Sequence, residues 1–243
     1  MRYQLEIIGY NIEACITAQA SGAHRIELCD NVAAGGTTPS YGFIKVAREV
    51  LKIPLYPIIR PRAGDFHFTQ AEFDVMKADV LICKKLGCDG VVIGMLTKDG
   101  SIDKERCSQL VNHAYPMGVT FHRAFDRVAD AAVALETIID LGCERVLTSG
   151  LMPNAESGIA NIADLVRQAA GRISIMPGSG IRSANLENIA SETGATEFHS
   201  SALASVVSSM EFRNDRMQEN LASVSVDHQE IKNMLSILHR LSS

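Results

Sequence analysis

Short apolar runs alternate with amphipathic stretches along most of this chain. Four of the runs follow one signal: a helical stretch ends at a glycine, a small residue and a polar pair follow, and a strand begins. Glycine suits the left-handed turn that ends a helix, and a β-branched apolar run is typical of a buried parallel strand. The four copies are SGAHRIEL (21–28), LGCDGVVI (86–93), LGCERVLT (141–148) and TGATEFHS (193–200).

Four more strands are predicted at 3–8, 55–60, 118–122 and 173–176. A helical pattern follows each strand, and the one after Thr69 starts with a capping box between Thr69 and Glu72. Eight strand–helix units, spaced about 25–35 residues apart, predict a single-domain (β/α)8 TIM-like barrel over 1–243. An open doubly wound sheet is the alternative, but the glycine-rich first loop typical of that fold does not follow Glu6.

The last 40 or so residues depart from this rhythm. Residues 203–226 are rich in Ser, Asn, Met and charge, and we expect an irregular segment that is mobile or forms an oligomer contact. Residues 227–241 are predicted to form the last barrel helix, because Asp227 suits the N-cap and Ile231, Met234 and Leu238 share one face.

Composition narrows the class of protein. The 243 residues carry 23 basic and 28 acidic side chains, a net charge of −5, which argues against a nucleic-acid partner. No apolar run reaches the roughly 20 residues that cross a membrane, and no signal segment precedes the first strand, so a cytoplasmic location is expected. The sequence shows no nucleotide cofactor signature. Six scattered cysteines without a C-x-x-C pair are expected to be reduced thiols.

Polar residues concentrate where the predicted strands end, and in a barrel those ends carry the active site. The amino-terminal ends show no comparable set. Arginine binds carboxylates through a planar fork, so we expect Arg60, Arg62 and Arg123 to pair with Glu6 and Glu27 and to hold an anionic ligand. An inert ring of ion pairs is the alternative. The candidates for proton transfer are Glu6, Glu27, His122 and Asp126.

A second group of residues predicts an anion site. Gly178, Ser179 and Gly180 precede a predicted helix near Ser183, where backbone N–H groups could face an anion. The alternative is that the glycines serve only a tight turn. Three further candidates at strand ends for binding the anion are Ser149, His199 and Ser200.

Six motifs at these strand ends together resemble the CutC family of copper homeostasis proteins. The match is looser after residue 202, and Ser179 stands where the family more often has glycine. The resemblance implies a cytosolic TIM-like barrel, commonly a homo-oligomer such as a dimer or tetramer, that is linked to copper tolerance and Cu(I) binding. The motifs are RIELCDNVAAGGTTPS (25–40), IRPRAGDF (59–66), VTFHRAFD (119–126), VLTSG (146–150), IMPGSGI (175–181) and EFHSSA (197–202).

The residues themselves constrain the copper hypothesis. Cu(I) prefers thiolate and thioether ligands, and the chain lacks a paired Cys or Met motif. Cys29 is the only cysteine at a predicted carboxyl end of a strand, so it is the candidate ligand for Cu(I). The partner is therefore expected to be a copper ion or a small anionic molecule. Three functions stay open: copper homeostasis, acid/base catalysis on a small phosphate- or carboxylate-bearing metabolite, and binding of such a metabolite without catalysis.

Overall fold

Eight parallel strands surround a central axis, and helices cover them on the outside. The structure is a computed structural model that describes residues 3–214 and 216–242. This arrangement confirms the (β/α)8 barrel. The barrel strands are β1 (Gln4–Gly9), β2 (Arg25–Leu28), β3 (Leu55–Pro57), β4 (Gly90–Ile93), β5 (Gly118–Phe121), β6 (Arg145–Thr148), β7 (Ser174–Pro177) and β8 (Glu197–Ser200). The helices are α1 (Ile12–Ala20), α2 (Tyr41–Val50), α3 (Gln70–Lys85), α4 (Lys104–Ala114), α5 (Ala131–Asp140), α6 (Ile159–Ala169), α7 (Ser183–Thr193) and α8 (His228–Ser242).

The barrel closes from two four-stranded parallel sheets. One has the order β3-β2-β1-β8 and the other β4-β5-β6-β7. A parallel bridge between Ile58 and Val92 joins β3 to β4, and β7 lies beside β8. The carboxyl ends of all eight strands therefore meet at one face, the mouth of the barrel.

The repeated sequence signal has the predicted conformation. Gly22, Gly87, Gly142 and Gly194, which follow α1, α3, α5 and α7, have φ angles of 100°, 77°, 81° and 71°. Residues with a side chain rarely adopt this left-handed backbone conformation, whereas glycine does so without strain. Each glycine thus ends a helix and turns the chain into the next strand.

Alternate strand residues face opposite sides of the barrel wall. On β1 and β2, Leu5, Ile7, Ile26 and Leu28 pack with helix residues in the main hydrophobic core. The intervening positions, such as Ile8 on β1, face the axis, where a small second apolar cluster lies. Because side chains alternate along a strand, the polar residues Glu6, Arg25 and Glu27 share the axial side.

The segment before α8 is more ordered than its composition predicts. Its two ends form an antiparallel hairpin of β9 (Leu203–Val206) and β10 (Ser223–Val226), so the expectation of an irregular segment over 203–226 is wrong at those ends. Asn11 Nδ2 donates to the carbonyl of Val224 at 2.7 Å and ties the hairpin to α1. Val207 and Phe212, between the two strands, are exposed. The oligomer contact expected here stays a prediction.

The last helix begins as predicted and also anchors its neighbour. Asp227 accepts the N–H of Glu230 at 3.1 Å. The Glu230 carboxylate in turn accepts from the backbone N–H and the hydroxyl of Ser183, both at 2.7 Å. Within 3–214 and 216–242, no helix combines the length and apolar composition needed to cross a membrane.

Candidate functional site

An ion-pair network fills the amino-terminal half of the barrel interior. Arg25 binds Glu6 and also Glu197, the latter at 2.8 Å, and Arg145 binds Glu197 at 3.0 Å. The Tyr56 ring centre lies 5.4 Å and 5.2 Å from the two guanidinium carbons. The expectation that the amino-terminal ends carry no polar set is therefore wrong. Arg25, Arg145 and Glu197 are the first residues of β2, β6 and β8. Each lies two positions before a residue that faces the barrel interior, namely Glu27, Leu147 and His199. This period-two spacing indicates in the sequence that the three charged residues face inward as well.

Glu6 and His199 form a hydrogen-bonded pair above this network. His199 Nδ1 lies 2.7 Å from Glu6 Oε1. Burial raises the pKa of Glu6, but the charges of Arg25 and His199 outweigh burial and hold this pKa well below its usual range. Burial lowers the pKa of His199, yet its hydrogen bond to Glu6 and the charge of Glu27 bring the net pKa above the ordinary value. Glu6 is therefore an anion at neutral pH, and its carboxylate favours the protonated form of His199.

Glu27 differs from Glu6 because, among the described residues, no arginine forms an ion pair with it, although the charge of Arg25 acts on it from a distance. In the described part of the chain its ion pair is with His199 Nε2, at 3.7 Å. Burial, with a contribution from the charge of Glu6, raises the pKa of Glu27 to about 7, although His199 opposes the shift. Glu27 is therefore the carboxyl group in this cluster that changes charge near neutral pH.

A cavity of about 180 Å³ opens at the mouth above these groups. We call it the mouth cavity. A groove of about 680 Å³ shares Gly35, Arg60, Phe66 and Arg123 with it and extends to Lys98 and Arg127. The mouth cavity collects polar groups from several strand ends onto a partly apolar wall. Its lining is Ile8, Tyr10, Glu27, Gly35, Ile58, Arg60, Phe66, His122, Arg123, Leu147, Ser179, Gly180, His199 and Ser201.

His122 lines this cavity with a neutral imidazole ring. Its Nδ1 accepts the backbone N–H of Ala124 at 3.1 Å, so the ring proton resides on Nε2. Burial, reinforced by the charge of Arg60, lowers the pKa of His122 to about 3. His122 is only 3% exposed, and its Nε2 has no hydrogen-bond partner among the described residues.

Arg60 and Phe66 complete the wall around His122. The guanidinium of Arg60 donates to the carbonyls of Ala34, Gly36 and Gly64, each at 2.8 Å. Its Nε is buried without a partner in the described part of the chain. The Phe66 ring lies 4.9 Å from the Arg60 guanidinium carbon and 4.9 Å from the His122 ring. The contacts with the Phe66 ring hold His122 and Arg60 in place, and the bonds to three carbonyls further fix Arg60.

Asp126 positions Arg123 and does not contact the mouth cavity. It accepts from Arg123 Nε at 2.6 Å, from Thr148 Oγ1 at 2.6 Å and from the N–H of Leu151 at 3.1 Å. Arg123 also donates to Ser149 Oγ at 2.8 Å. These donors occupy both oxygens of the carboxylate. Asp126 and Ser149 therefore hold the Arg123 guanidinium beside the mouth cavity.

The pairing expected between the three arginines and the two glutamates is wrong. Arg60 and Arg123 have the partners given above, and Arg62 binds Asp65 at 2.9 Å and Glu72 at 2.6 Å, outside the mouth cavity. Buried charges need partners in contact, and Arg25 and His199 are the ones that the strand register brings to Glu6.

The glycine-rich turn is only partly a site for an anion. Ser179 and Gly180 line the mouth cavity, and Ser179 has a φ of 77°, a conformation that glycine adopts more easily. At Gly178, an added Cβ would lie 2.4 Å from Leu147, so this glycine permits packing. The start of α7 already binds the Glu230 carboxylate, which takes the place expected for a bound anion.

Ser200, which is predicted from the sequence to bind the anion, does not face the mouth cavity. Ser200 Oγ donates to the carbonyl of Ile181 at 2.7 Å and accepts from the N–H of Ala202. It is not among the lining residues, whereas its neighbour Ser201 is. Period-two alternation from His199 predicts Ser201 as the inward serine, and the sequence reasoning missed that signal.

Cys29 is fully buried in surroundings that do not suit Cu(I). Its thiol lies against the Glu27 carboxyl, and burial followed by the charge of Glu27 raises the pKa of Cys29 well above the ordinary value. Cu(I) binds the thiolate rather than the thiol. In the described part of the chain, the cluster of three metal-ligating groups is Glu6, Glu27 and His199, which offers oxygen and imidazole ligands instead of sulfur. Cys29 and the groups around it therefore do not fit a Cu(I) centre.

The fold and this site define a (β/α)8 barrel whose mouth holds a small cavity lined by hydrogen-bonding side chains. Residues 3–204 match the family model described as the CutC family, and the chain belongs to that family. A CutC family protein of Chromobacterium violaceum is 50% identical over 209 residues, which cover 86% of this chain and 85% of the relative.

Two further relatives extend the comparison. The human protein named copper homeostasis protein cutC homolog is 46% identical over 230 residues, which cover 95% of this chain and 84% of the relative. The crystal structure of a copper homeostasis protein CutC from Streptococcus agalactiae has a TM-score of 0.79 and 34% identity, and the match covers 82% of this chain and 98% of that one.

Replacing Glu27 by glutamine should change how stability depends on pH. The pKa of Glu27 is raised from 4.5 to about 7 in the folded state. The group therefore stabilises the fold below pH ~4.5, and this contribution is lost as pH rises towards 7, because the unfolded chain ionises first. We expect the free energy of unfolding of the natural protein to fall between these pH values by on the order of 1–3 kcal/mol more than that of Glu27→Gln.

Urea denaturation at a series of pH values measures this difference. Glu211→Gln, at an exposed position, is the control and should retain the slope of the natural protein. Equal slopes for Glu27→Gln and the natural protein would show that Glu27 ionises normally.

Proposed function

We propose that the mouth cavity binds a small metabolite that carries a phosphate or carboxylate group. The observation that carries the proposal is a pair of buried donor atoms, His122 Nε2 and Arg60 Nε, which have no partner among the described residues and belong to side chains that line the cavity. Buried polar groups are almost always hydrogen-bonded, and an unsatisfied donor costs about 1–3 kcal/mol. A ligand with acceptor oxygens would satisfy both.

The charges around the cavity favour an anion. Arg60 and Arg123 line both the mouth cavity and the groove, and Lys98 and Arg127 line the groove, where Asp65 is the opposing acid. Arg123 keeps a partly exposed guanidinium, with a side chain 36% accessible, and Asp126 orients it. The anionic end of the ligand would therefore lie towards Arg123 and the groove, with the rest of the molecule inside the mouth cavity.

Removing Arg123 should weaken anion binding while the barrel stays folded. A charge-assisted hydrogen bond contributes about 1.5–3 kcal/mol, so Arg123→Ala should raise the Kd for inorganic phosphate and for oxalate by roughly 10- to 100-fold. His122→Phe, which keeps a ring of similar size and removes the donor, should weaken oxalate binding in the same direction. Isothermal titration calorimetry measures both.

Arg172→Ala is the matched control, because Arg172 pairs with Glu136 on the outside of the barrel, at 2.7 Å. It should bind both anions as the natural protein does. The proposal fails if the natural protein binds neither anion, or if both mouth variants, shown to be folded by circular dichroism, bind with unchanged affinity.

Copper handling is the second candidate, because relatives such as the human protein are named for copper homeostasis. The buried, protonated Cys29 argues against a Cu(I) site at the expected position. Under our proposal Cys29→Ser should bind the same number of Cu(I) ions as the natural protein, as measured anaerobically against the chromophoric chelator bicinchoninate. Loss of one Cu(I) per chain in this variant, with phosphate binding intact, would instead favour copper at Cys29.

A further inference from the structure

We propose that the mouth cavity catalyses proton transfer at a carbon next to a carbonyl group, with Glu27 as the general base and His122 Nε2–H as the donor to the carbonyl oxygen. The substrate class is a small α-hydroxy carbonyl compound that carries a phosphate or carboxylate. This inference rests on the proposed function, since the substrate must occupy the anion-binding mouth cavity.

The two glutamates of the cluster divide into a fixed one and an available one. Glu6 pairs with Arg25 through one carboxylate oxygen and with His199 through the other, so its carboxylate is already occupied. Glu27 lines the mouth cavity and keeps a longer contact, 3.7 Å, to His199. The other charged or titratable groups that act on Glu27 include Glu6, Cys29, Arg25 and Tyr10. Glu27 is therefore the carboxyl group of this cluster that lines the cavity and has no arginine in ion-pair contact among the described residues, which makes it the candidate base.

His122 supplies the second half of the chemistry. A neutral imidazole with its proton on Nε2 cannot act as a base through that nitrogen, but it can donate a hydrogen bond to an oxygen that gains negative charge. Donors that are fixed before the reaction stabilise such an oxyanion most effectively. The bond from Ala124 N–H to Nδ1 and the Phe66 ring fix His122, and the nearby charge of Arg60 adds to the stabilisation.

The proposed step balances without a cofactor. The Glu27 carboxylate takes the proton from the carbon next to the carbonyl, and the electrons of that C–H bond form a C=C bond. The carbonyl π electrons move to the oxygen, which His122 Nε2–H hydrogen-bonds, so an enediolate results. Return of the proton from Glu27 to the same carbon, or to the neighbouring one with transfer of the hydroxyl proton between the two oxygens, restores a carbonyl. The sequence is redox-neutral and needs no co-reactant.

A Schiff-base route has less support at this mouth. The described residues that line the mouth cavity include no lysine, and Lys98 lies out in the groove. Amine-dependent carbon–carbon cleavage needs a lysine that reaches the carbonyl carbon. A carboxylate opposite a neutral imidazole donor instead matches the requirements of enolisation.

Deuterium exchange tests the proposal. The natural protein is incubated in D2O with dihydroxyacetone, dihydroxyacetone phosphate or erythrulose, and ¹H NMR follows loss of the protons next to the carbonyl. We expect enzyme-dependent exchange that is fastest with the phosphorylated compound. Glu27→Gln should lose at least about 100-fold of this rate and still bind glycolohydroxamate, a mimic of the enediolate. His122→Phe should lose both exchange and hydroxamate affinity.

Controls separate this inference from the proposed function. Glu211→Gln should exchange like the natural protein, and Glu27→Asp, which keeps the carboxylate and shortens its reach, should retain a reduced rate. Binding of phosphate and hydroxamate without exchange of any of the three probes overturns the catalytic inference and leaves the binding function standing. Exchange that survives in folded Glu27→Gln also overturns it. Failure of the natural protein to bind phosphate, oxalate or hydroxamate removes the proposed function itself.

Discussion

The cost of placing charge inside a barrel governs this structure. An ionised side chain that leaves water needs a partner of opposite charge in contact with it. Glu6, Arg25, Glu197 and Arg145 meet that requirement among themselves in the amino-terminal half of the barrel. Their mutual pairing uses both arginines of this network, and Glu27, which lies nearer the mouth, is left with the His199 ring at 3.7 Å. The unusual protonation of Glu27 therefore follows from how the charges beneath it are paired.

The same burial acts in opposite directions on the two groups that face the mouth cavity. It raises the pKa of an acid such as Glu27 and lowers that of a base such as His122, because in both cases it disfavours the charged form. The result is a carboxyl group poised near neutrality opposite an imidazole that stays neutral. Pairs of groups whose environments shift their pKa values apart often mark acid and base roles in catalysis. The mouth cavity holds such a pair beside two arginines that can bind an anion.

Much of the architecture could be predicted from the sequence, because local signals determine it. The glycine that ends a helix, the apolar strand that follows, and the caps at Thr69 and Asp227 all act within a few residues. The position of the site at the carboxyl ends of the strands follows from the fold. Glu27, His122, Arg60, Arg123 and His199 do line one cavity there.

The pairing of the charged groups could not be predicted in the same way. Which cation reaches Glu6 depends on strand register and on which face each side chain occupies, and these are long-range properties. Arg25 lies 19 positions from Glu6 along the chain, and His199 lies 193 positions away. Ser200 and Ser201 differ by one position and face opposite sides of the wall. Adjacent residues in a motif are therefore not equivalent members of a site.

Two buried histidines at one mouth have pKa values shifted in opposite directions from the ordinary value, and ¹⁵N NMR of the imidazole rings as a function of pH tests this most directly. In protein labelled at histidine, with His122→Phe used to assign the signals, we expect His122 to be neutral at pH 7, with its proton on Nε2 and a bare Nδ1, and His199 to keep its second proton to a higher pH than a free imidazole does. A doubly protonated His122, a His122 with its proton on Nδ1, or a His199 that loses its second proton at a lower pH than a free imidazole would contradict this picture.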